Sequence, residues 1–492
     1  GIPLIDLNNF NFDEQVIRNL SESMARRYRA IVLEDRANDF LVGMADPTDL
    51  YALDEIQEKL SKPVSQAIVR ETILLATFDR VYRRTEEISA LAEELGQELS
   101  SGSEDLSSLL QTEQTTDAPV AKLLQSIFED AVQMGASDIH IEPDKEVIRV
   151  RQRVDGVLQE QVMKEIQIAP AVVVRLKLMA GLNISEKRMP QDGRFNMTVN
   201  RHEIDVRLST MPVQYGESVV MRLLDQSRGA LEIEHLGMPP ELLKRFRKNF
   251  HLPNGMVLVT GPTGSGKTTS LYAALQELNK AESKIITVED PVEYRLSRIN
   301  QVQVNPQIGL NFSQVLRSAL RQDPDIIMIG EMRDAETVEI GVSAAMTGHL
   351  VLSTLHTNDT VSTATRMLDM GVEGYLLATT LRSIIAQRLV RKICVHCIQD
   401  YKPDAFEKAW LREKLFVDTE HYQYKTGKGC MHCGFTGYQG RMGVYELLEM
   451  NAELAEALRR DDTQEFVEAA GRAPGYQPLI NVAHDYARQG LT

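Results

Sequence analysis

Short apolar runs separated by helical stretches dominate residues 229–390. The runs Met256 to Val259, Ile285 to Val288, Ile326 to Ile329 and Leu350 to Thr354 are each bounded by polar or turn-forming residues. Runs of this length predict buried strands, and strands that alternate with helices predict a parallel sheet covered by helices. We therefore expect an α/β core in this part of the chain.

The pattern changes before this core. Residues 118–228 contain a helical repeat from Val120 to Met134 and two alternating segments with turn residues in the middle, Ile148 to Gln161 and Arg194 to Leu208. Asp155-Gly156 in the first segment is a strong hairpin signal. A mixed α+β domain is expected here.

Composition sets the remaining boundaries. Residues 1–95 predict a small α/β domain with a docking or regulatory role, and residues 96–117, rich in Ser, Gln, Glu and Thr, predict a flexible linker. Residues 391–450 hold all four cysteines, and residues 451–492 predict C-terminal helices interrupted at Pro474-Gly475. At 492 residues the chain is too long for one core, so several domains are expected.

Charge and targeting signals exclude some classes of protein. The formal net charge of −16 argues against a general nucleic-acid binder, which needs a basic surface. No apolar run approaches the roughly 18 residues of a membrane-spanning helix. The chain opens without a signal peptide, and it lacks an initiator Met, which leaves the native start open.

The segment after Thr260 has the form of a phosphate loop. An apolar run leads into a glycine-rich loop, and a helical run from Ser270 to Leu278 follows it; the loop residues are Gly261, Pro262, Thr263, Gly264, Ser265, Gly266, Lys267, Thr268 and Thr269. Glycines let backbone N–H groups turn towards phosphate, and the helix adds its positive end. We expect Lys267 to reach the β- and γ-phosphates and Thr268 to hold Mg²⁺. A chance glycine-rich turn would not explain the strand and helix around it.

Acidic residues follow two of the other apolar runs. Glu331 ends the run that begins at Asp325, where a carboxylate can bind Mg²⁺ through water or polarise the attacking water. An ordinary carboxylate at a helix start is the alternative. Glu289 is the first candidate among the acids after Thr287. A capped turn before Pro291 explains Asp290 and Glu293 equally well.

Two histidines flank the run from Leu350 to Thr354. His349 and His356 could contribute a sensor of the γ-phosphate, although a core histidine bonded to the backbone explains either residue taken alone. A guanine-specific site is excluded, because Asn279-Lys280-Ala281-Glu282 lacks the final Asp and follows the phosphate loop directly.

The cysteines predict a metal centre. Cys394, Cys397, Cys430 and Cys433 form two C-x-x-C pairs, which fit a tetrahedral structural zinc site. Four unligated thiols are the alternative. The long gap between the pairs, which includes Trp410, predicts a small inserted subdomain.

Together these motifs resemble those of the secretion ATPases that drive type II secretion and type IV pilus assembly. The resemblance extends from about residue 119 to about 490 and more weakly over 1–95. Its signatures are Val288-Glu289-Asp290-Pro291, Leu320-Arg321-Gln322-Asp323-Pro324-Asp325 through Gly330-Glu331-Met332-Arg333-Asp334, Thr347-Gly348-His349, Ser353-Thr354-Leu355-His356-Thr357-Asn358, Ser137-Asp138-Ile139-His140-Ile141-Glu142 and Pro190-Gln191-Asp192-Gly193-Arg194.

The resemblance implies a fold and a site. It implies a RecA-like core preceded by a PAS-like domain, a ring-shaped homohexamer, and ATP bound between the second domain and the core. Arg194 and Arg207 match the arginines that close onto phosphate, and Arg317, Arg321 and Arg333 match further core arginines. The zinc insert is typical of assembly and secretion members rather than retraction members.

The resemblance also implies a function. We expect a motor that lifts pilins through an inner-membrane platform protein, acting with the cytoplasmic domains of the assembly complex, in the cytoplasm and peripheral to the bacterial inner membrane. The N-terminal region is most similar to that of ATPases of mannose-sensitive haemagglutinin pili. In those, cyclic di-GMP binds repeats that would lie upstream of Gly1, and their Arg-Leu-Gly pattern is missing here. A type II secretion motor and a nucleotide-gated adaptor that does not need hydrolysis are the alternatives.

Overall fold

The computed structural model describes residues 2–7, 10, 12–17, 19–81, 85–100, 119–225, 232–415 and 422–492. The chain divides into two compact units. The first comprises residues 1–227, 393–399 and 426–439, and the second comprises 228–392, 400–425 and 440–492. None of the helices in the described ranges is both long and apolar enough to cross a membrane.

The N-terminal part of the first unit is a small α/β fold. Its three-stranded sheet consists of β1 (Ala30–Asp35), β2 (Phe40–Met44) and β3 (Val64–Ile68). Its helices are α1 (Glu14–Ile17), α2 (Glu22–Tyr28), α3 (Leu50–Leu60) and α4 (Glu71–Val81). The next helix, α5 (Thr85–Ser100), places Ile88, Ala92 and Leu95 in the apolar core of the second part of this unit. Strand β3 pairs in parallel with β2, and β1 pairs antiparallel with β2 on its other side. Residues 96–100, predicted as linker, continue α5, and residues 101–117 of that prediction lie outside the described residues.

The second part of this unit is an antiparallel sheet with two helices. The strands are β4 (Ala136–Pro143), β5 (Ile148–Val154), β6 (Val157–Met163), β7 (Gln191–Val199), β8 (His202–Val213) and β9 (Gly216–Asp225), in the order β6-β5-β4-β9-β8-β7; the helices are α6 (Pro119–Gln133) and α7 (Ala169–Met179). Both predicted hairpins are confirmed. Alternate residues such as Ile139 and Val206 enter the apolar core with α6 and α7. The opposite face carries charged side chains, because successive strand residues point to opposite sides.

The second unit is built on a seven-stranded sheet. In chain order the strands of this sheet are β10 (Gly255–Thr260), β11 (Ile285–Glu289), β12 (Asn300–Gln303), β13 (Ile326–Ile329), β14 (Leu350–Leu355), β15 (Leu381–Ile393) and β18 (Tyr438–Glu449). The strands β16 (Ile398–Tyr401) and β17 (Tyr424–Gly427) form a separate pair, whose residues are divided between the two units. The sheet order is β12-β11-β13-β14-β10-β15-β18. Strands β10 to β15 pair in parallel, so all four predicted runs are confirmed as neighbours in one parallel sheet.

Helices flank this sheet and form the C-terminus. They are α8 (Pro240–Phe250), α9 (Lys267–Leu278), α10 (Phe312–Ala319), α11 (Ala335–Met346), α12 (Thr360–Asp369), α13 (Gly374–Thr380), α14 (Ala405–Leu415), α15 (Ala452–Arg459), α16 (Thr463–Arg472) and α17 (Leu479–Arg488). The predicted C-terminal helices and their break at Pro474-Gly475 are confirmed. Strand β18 belongs to the main sheet, so the cysteine insert lies between Ile393 and Tyr438 and is shorter than 391–450.

Candidate nucleotide site and metal centre

The phosphate loop connects β10 to α9 in a tight backbone path. Gly264 and Gly266 have φ angles of +78° and +88°, which residues other than glycine rarely adopt. A methyl group at Gly261 would lie 2.5 Å from the Gln387 carbonyl oxygen and 2.5 Å from Ser265 Oγ. Pro262, Thr263 and Gly264 form an exposed tip, and Thr268 is exposed and Thr269 half-buried at the start of α9. The loop therefore offers backbone N–H groups and a hydroxyl at a helix N-terminus, which fits a phosphate group with Mg²⁺.

Lys267 is folded back into this loop. Its side chain is 8% exposed, and Nζ donates to the carbonyl oxygens of Gly261 at 2.9 Å and Pro262 at 3.1 Å. Burial lowers the pKa of Lys267, and the nearby Glu331 carboxylate opposes this effect only in part. A buried cation held by neutral carbonyls gains a stronger, charge-assisted partner when an anion arrives.

Glu331 lies at the same sheet edge, directly after β13. Its side chain is 12% exposed, forms an ion pair with Arg333 and lies 3.2 Å from His356 Nε2. The loop behind it is anchored to β14, because Met332 N–H donates to the Thr354 carbonyl at 3.1 Å and Thr354 Oγ1 donates to the Gly330 carbonyl at 2.6 Å. Since carboxyl ends of parallel strands meet at one edge, β10, β13 and β14 place Lys267, Glu331 and His356 together.

Glu289 is enclosed instead. It is 2% exposed, and its carboxylate accepts hydrogen bonds from Tyr272 and Thr287 and from Gln301 Nε2 at 3.1 Å. Burial raises the pKa of Glu289 and of its partner Tyr272. In this arrangement the carboxylate links β11, β12 and α9.

The other acids and the core arginines lie at exposed or half-buried positions. Asp290 is exposed, and its charge acts on Arg333. Glu293 is half-buried, and its N–H donates to Tyr272 Oη at 3.2 Å. Both arginines donate hydrogen bonds to neighbouring protein groups. Arg317 Nη2 donates to Glu336 at 2.7 Å, and Arg321 Nη1 donates to the Arg317 carbonyl at 2.8 Å.

The two predicted histidines, His349 and His356, lie at opposite ends of β14. His356 follows β14 and contacts Glu331, whereas His349 precedes β14, and its Nδ1 lies 2.9 Å from the Ala344 carbonyl oxygen. The register pairs Gly255 with Leu350 and Thr260 with Leu355, so His349 is at the opposite end of the strand from the phosphate loop. Six strand residues span about 20 Å, so His349 is far from the phosphate loop. The prediction that His349 belongs to the nucleotide site is therefore wrong, and His349 is a histidine bonded to the backbone.

Arg194 and Arg207 are neighbours on the charged face of the six-stranded sheet. They are register partners on β7 and β8, and Arg207 is also the partner of Arg222 on β9. Arg194 Nε donates to Asp205 Oδ1 at 2.6 Å, and its Nη2 bonds the other carboxylate oxygen. Asp205 is 1% exposed, so this ion pair is half enclosed by the sheet.

The four cysteines converge as predicted. Their sulfur atoms all lie within 4.8 Å of one another, and Cys394–Cys430, Cys430–Cys433 and Cys397–Cys433 are separated by 3.7, 3.8 and 3.9 Å. A tetrahedral zinc with Zn–S bonds of about 2.3 Å requires S···S separations of about 3.8 Å. Backbone N–H groups of Cys430 and Gly437 point at Cys433 Sγ, each at 3.2 Å, as suits a thiolate. The donor set fits a structural zinc.

Comparison with known proteins decides the family. Residues 113–492 match the sequence model described as type II/IV secretion system protein, and residues 1–88 match that of the MshEN domain. The chain belongs to the type II/IV secretion system protein family. Like the motifs quoted above, the match covers both the six-stranded sheet and the parallel sheet with its phosphate loop.

Relatives in this family carry two kinds of name. The chain is 41% identical to the type II secretion system protein E of Xanthomonas campestris pv. campestris and 40% identical to the type IV pilus assembly ATPase PilB of Pseudomonas aeruginosa; each alignment covers 100% of this chain and 87% of the relative. Among solved structures, the pilus retraction motor PilT with bound ADP is similar over 75% of this chain and 94% of its own, at 27% identity and a TM-score of 0.51.

One residue of the site was missed from the sequence. Gln387 on β15 is 1% exposed and contacts the phosphate loop through its amide. In the sequence Gln387 is a polar residue directly after the apolar run Ile384-Ile385-Ala386, and such a residue does not identify its partner.

Proposed function

We propose that this chain is the ATP-hydrolysing motor of a type IV pilus assembly machine and works as a homohexamer. One observation carries the motor part of the proposal: the phosphate loop with Lys267, the carboxylate of Glu331 and the imidazole of His356 occupy one edge of the parallel sheet. Relatives named as ATPases of pilus assembly and type II secretion support it.

The residues have distinct tasks in this proposal. The loop N–H groups and Lys267 bind the phosphates of ATP, and Thr268 would hold Mg²⁺, which would supply positive charge that stabilises the phosphates. Glu331, oriented by Arg333 and His356, accepts a proton from the attacking water. We favour Glu331 over Glu289 for this role, because Glu289 is buried and already bonded to three donors.

The arginines complete the site. Arg194 and Arg207 reach the γ-phosphate and stabilise its developing charge, while Arg317 and Arg321 provide further positive charge near the nucleotide. Asp290 and Glu293 shape the loop after β11. In this proposal the second unit is a RecA-like core and the six-stranded sheet is a PAS-like domain.

The proposed role in pilus assembly also names the partners of this chain. The motor acts at the cytoplasmic face of the bacterial inner membrane on a platform protein, with the cytoplasmic domains of the assembly complex, and pilins are extracted through that platform. Cyclic di-GMP is a further candidate ligand in this proposal because residues 1–88 match the MshEN domain, and the Arg-Leu-Gly pattern is missing from this stretch. Zinc in the Cys₄ centre stabilises the insert, and metal analysis should find one zinc per chain that is lost in Cys430→Ser.

The second candidate is a type II secretion motor, which the 41% identity to protein E favours. Cells that lack the gene, complemented with wild type, Lys267→Ala or Glu331→Gln, separate the candidates. Loss of surface pili with secretion intact, rescued by wild type alone, is the expected result. Loss of secretion with pili intact would assign the chain to type II secretion, and rescue by Glu331→Gln would leave only a nucleotide-gated adaptor.

A further inference from the structure

Gln387 is an almost fully buried polar side chain beside the phosphate loop. Its neighbour Ala386 on β15 is the register partner of Thr260, the last residue of β10. Strand β15 therefore continues past the end of β10 and brings Gln387 level with Gly261. A buried amide at such a position needs hydrogen-bond partners, because an unsatisfied one costs stability.

The amide of Gln387 bonds both the phosphate loop and the first turn of α9. Nε2 donates to the Ser265 carbonyl oxygen at 2.5 Å, and Oε1 accepts from Ser270 Oγ at 2.8 Å. Ser265 precedes Gly266 and Lys267, and Ser270 lies in the first turn of α9. One side chain therefore fixes the loop and the helix start relative to each other.

The first of these bonds also sets the direction of a loop N–H group. The Ser265 carbonyl and the Gly266 N–H belong to one trans, planar peptide, in which the two groups point in opposite directions. Because the carbonyl is held towards Gln387, the Gly266 N–H points away from β15. Rotation of this peptide would present a carbonyl oxygen where a phosphate needs a donor.

The glycines of the motif pack against the same residue. A methyl group would lie 2.5 Å from the Gln387 carbonyl oxygen if placed on Gly261, and 2.9 Å from Gln387 Nε2 if placed on Gly266. Neither distance is tolerated by ordinary van der Waals contact. At Gly261 the contact is with backbone and excludes a side chain, whereas at Gly266 the amide could shift and the φ angle of +88° is what favours glycine.

We propose that Gln387 is a positioning residue for nucleotide binding: its amide holds the Ser265–Gly266 peptide and the start of α9 in the orientation that binds phosphate. The inference rests on the proposed function, since it needs a nucleotide at this loop. It assigns to Gln387 no contact with the nucleotide itself.

The test measures binding as well as turnover. Gln387→Met keeps the length of the side chain and removes both hydrogen bonds. The dissociation constant of a fluorescent ADP analogue should rise about tenfold, the scale expected for losing oriented hydrogen bonds to a ligand. KM for ATP should rise more than kcat falls, because the loop binds phosphate in ground state and transition state alike.

Two further variants calibrate this result. Ser383→Ala removes a buried hydroxyl on the same strand that has no hydrogen-bond partner, so it should leave nucleotide affinity unchanged. Gln387→Asn keeps the amide but shortens it by one methylene, so it cannot reach both serines and should weaken binding like Gln387→Met. It also provides a second reading if Gln387→Met does not fold.

The outcomes are distinct. If both Gln387 variants keep the wild-type affinity, including the case in which only their melting temperature falls, the residue is merely structural and the inference is overturned. If wild type itself binds no ADP or ATP analogue, the proposed function fails together with the inference.

Discussion

Two basic side chains in this protein are assigned to phosphate, and their surroundings differ. Lys267 is buried in the phosphate loop and donates to two neutral carbonyls. Arg194 lies on the six-stranded sheet with about half of its side chain exposed, and it pairs with the buried carboxylate of Asp205. The first cation gains a charged partner when nucleotide binds, whereas the second already has one.

The difference suggests a division of labour. A desolvated lysine held by carbonyls supplies binding energy, because its charge is poorly compensated before the anion arrives. A guanidinium held in plane by a carboxylate is already oriented, so it loses little conformational freedom when a phosphate approaches. Lys267 should therefore govern affinity, and Arg194 should govern the rate of hydrolysis.

The largest effect expected from changing either of these two cations is on turnover in Arg194→Ala. If Arg194 stabilises the transition state, kcat should fall on the order of 10³-fold while the affinity for an ATP analogue changes little. Phosphate release and analogue binding measure the two quantities. Arg149→Ala is the matched control, because Arg149 lies on the same sheet paired with Asp144 and Glu160. Equal losses in both variants would mean that Arg194 has no special role.

Lys267→Met should affect nucleotide affinity first, unlike Arg194→Ala. Nucleotide affinity should fall by about 10² or more, since a charge-assisted donor inside a desolvated loop is lost, and hydrolysis should fall with it. The apo protein should melt at the same temperature as wild type or higher, because a buried cation has been removed. A lower melting temperature would show that Lys267 stabilises the empty loop.

A double variant tests the Arg194–Asp205 pair. Arg194→Ala leaves a buried carboxylate unpaired and should lower the melting temperature of the protein. Adding Asp205→Asn removes that charge, so the double variant should recover most of the lost stability and none of the lost turnover. Recovery of turnover would contradict the assignment of Arg194 to phosphate.

The smallest effect is a pH dependence of apo stability. Burial lowers the pKa of Lys267 in the folded state below the unfolded value of about 10.4, so the folded protein releases this proton first. Below this lowered pKa the buried charge of Lys267 reduces the free energy of unfolding of the wild-type protein. As the pH rises through the lowered pKa, Lys267 loses its proton in the folded state and this destabilisation decreases. The melting-temperature advantage of Lys267→Met should therefore shrink from neutral pH towards about pH 10. An advantage that grows would contradict the desolvation argument.

The sequence predicted the local features of the site well. The four apolar runs became strands β10, β11, β13 and β14, and the phosphate loop and the cysteine pairs lie where expected, because these features depend on neighbouring residues. The strand repeat of residues 148–161 likewise needed only its alternation and the Asp155-Gly156 turn.

The features that the sequence did not predict depend on contacts between residues that are far apart in the chain. His349 and His356 look equivalent along the chain, but a strand has a direction, and only its carboxyl end meets the phosphate loop. Burial of Glu289 depends on Tyr272 and Gln301 from other elements. Gln387 bonds a residue 122 positions away, which no local pattern can indicate.

The most direct test of the account is single-turnover hydrolysis in purified Glu331→Gln protein. Removing the carboxylate should lower the rate of phosphate release by about 10²- to 10⁴-fold, the usual contribution of a general base, while affinity for an ATP analogue stays at the wild-type value. A variant that hydrolyses ATP at the wild-type rate would contradict the account, because the sheet edge with Lys267, Glu331 and His356 would then not be the catalytic site.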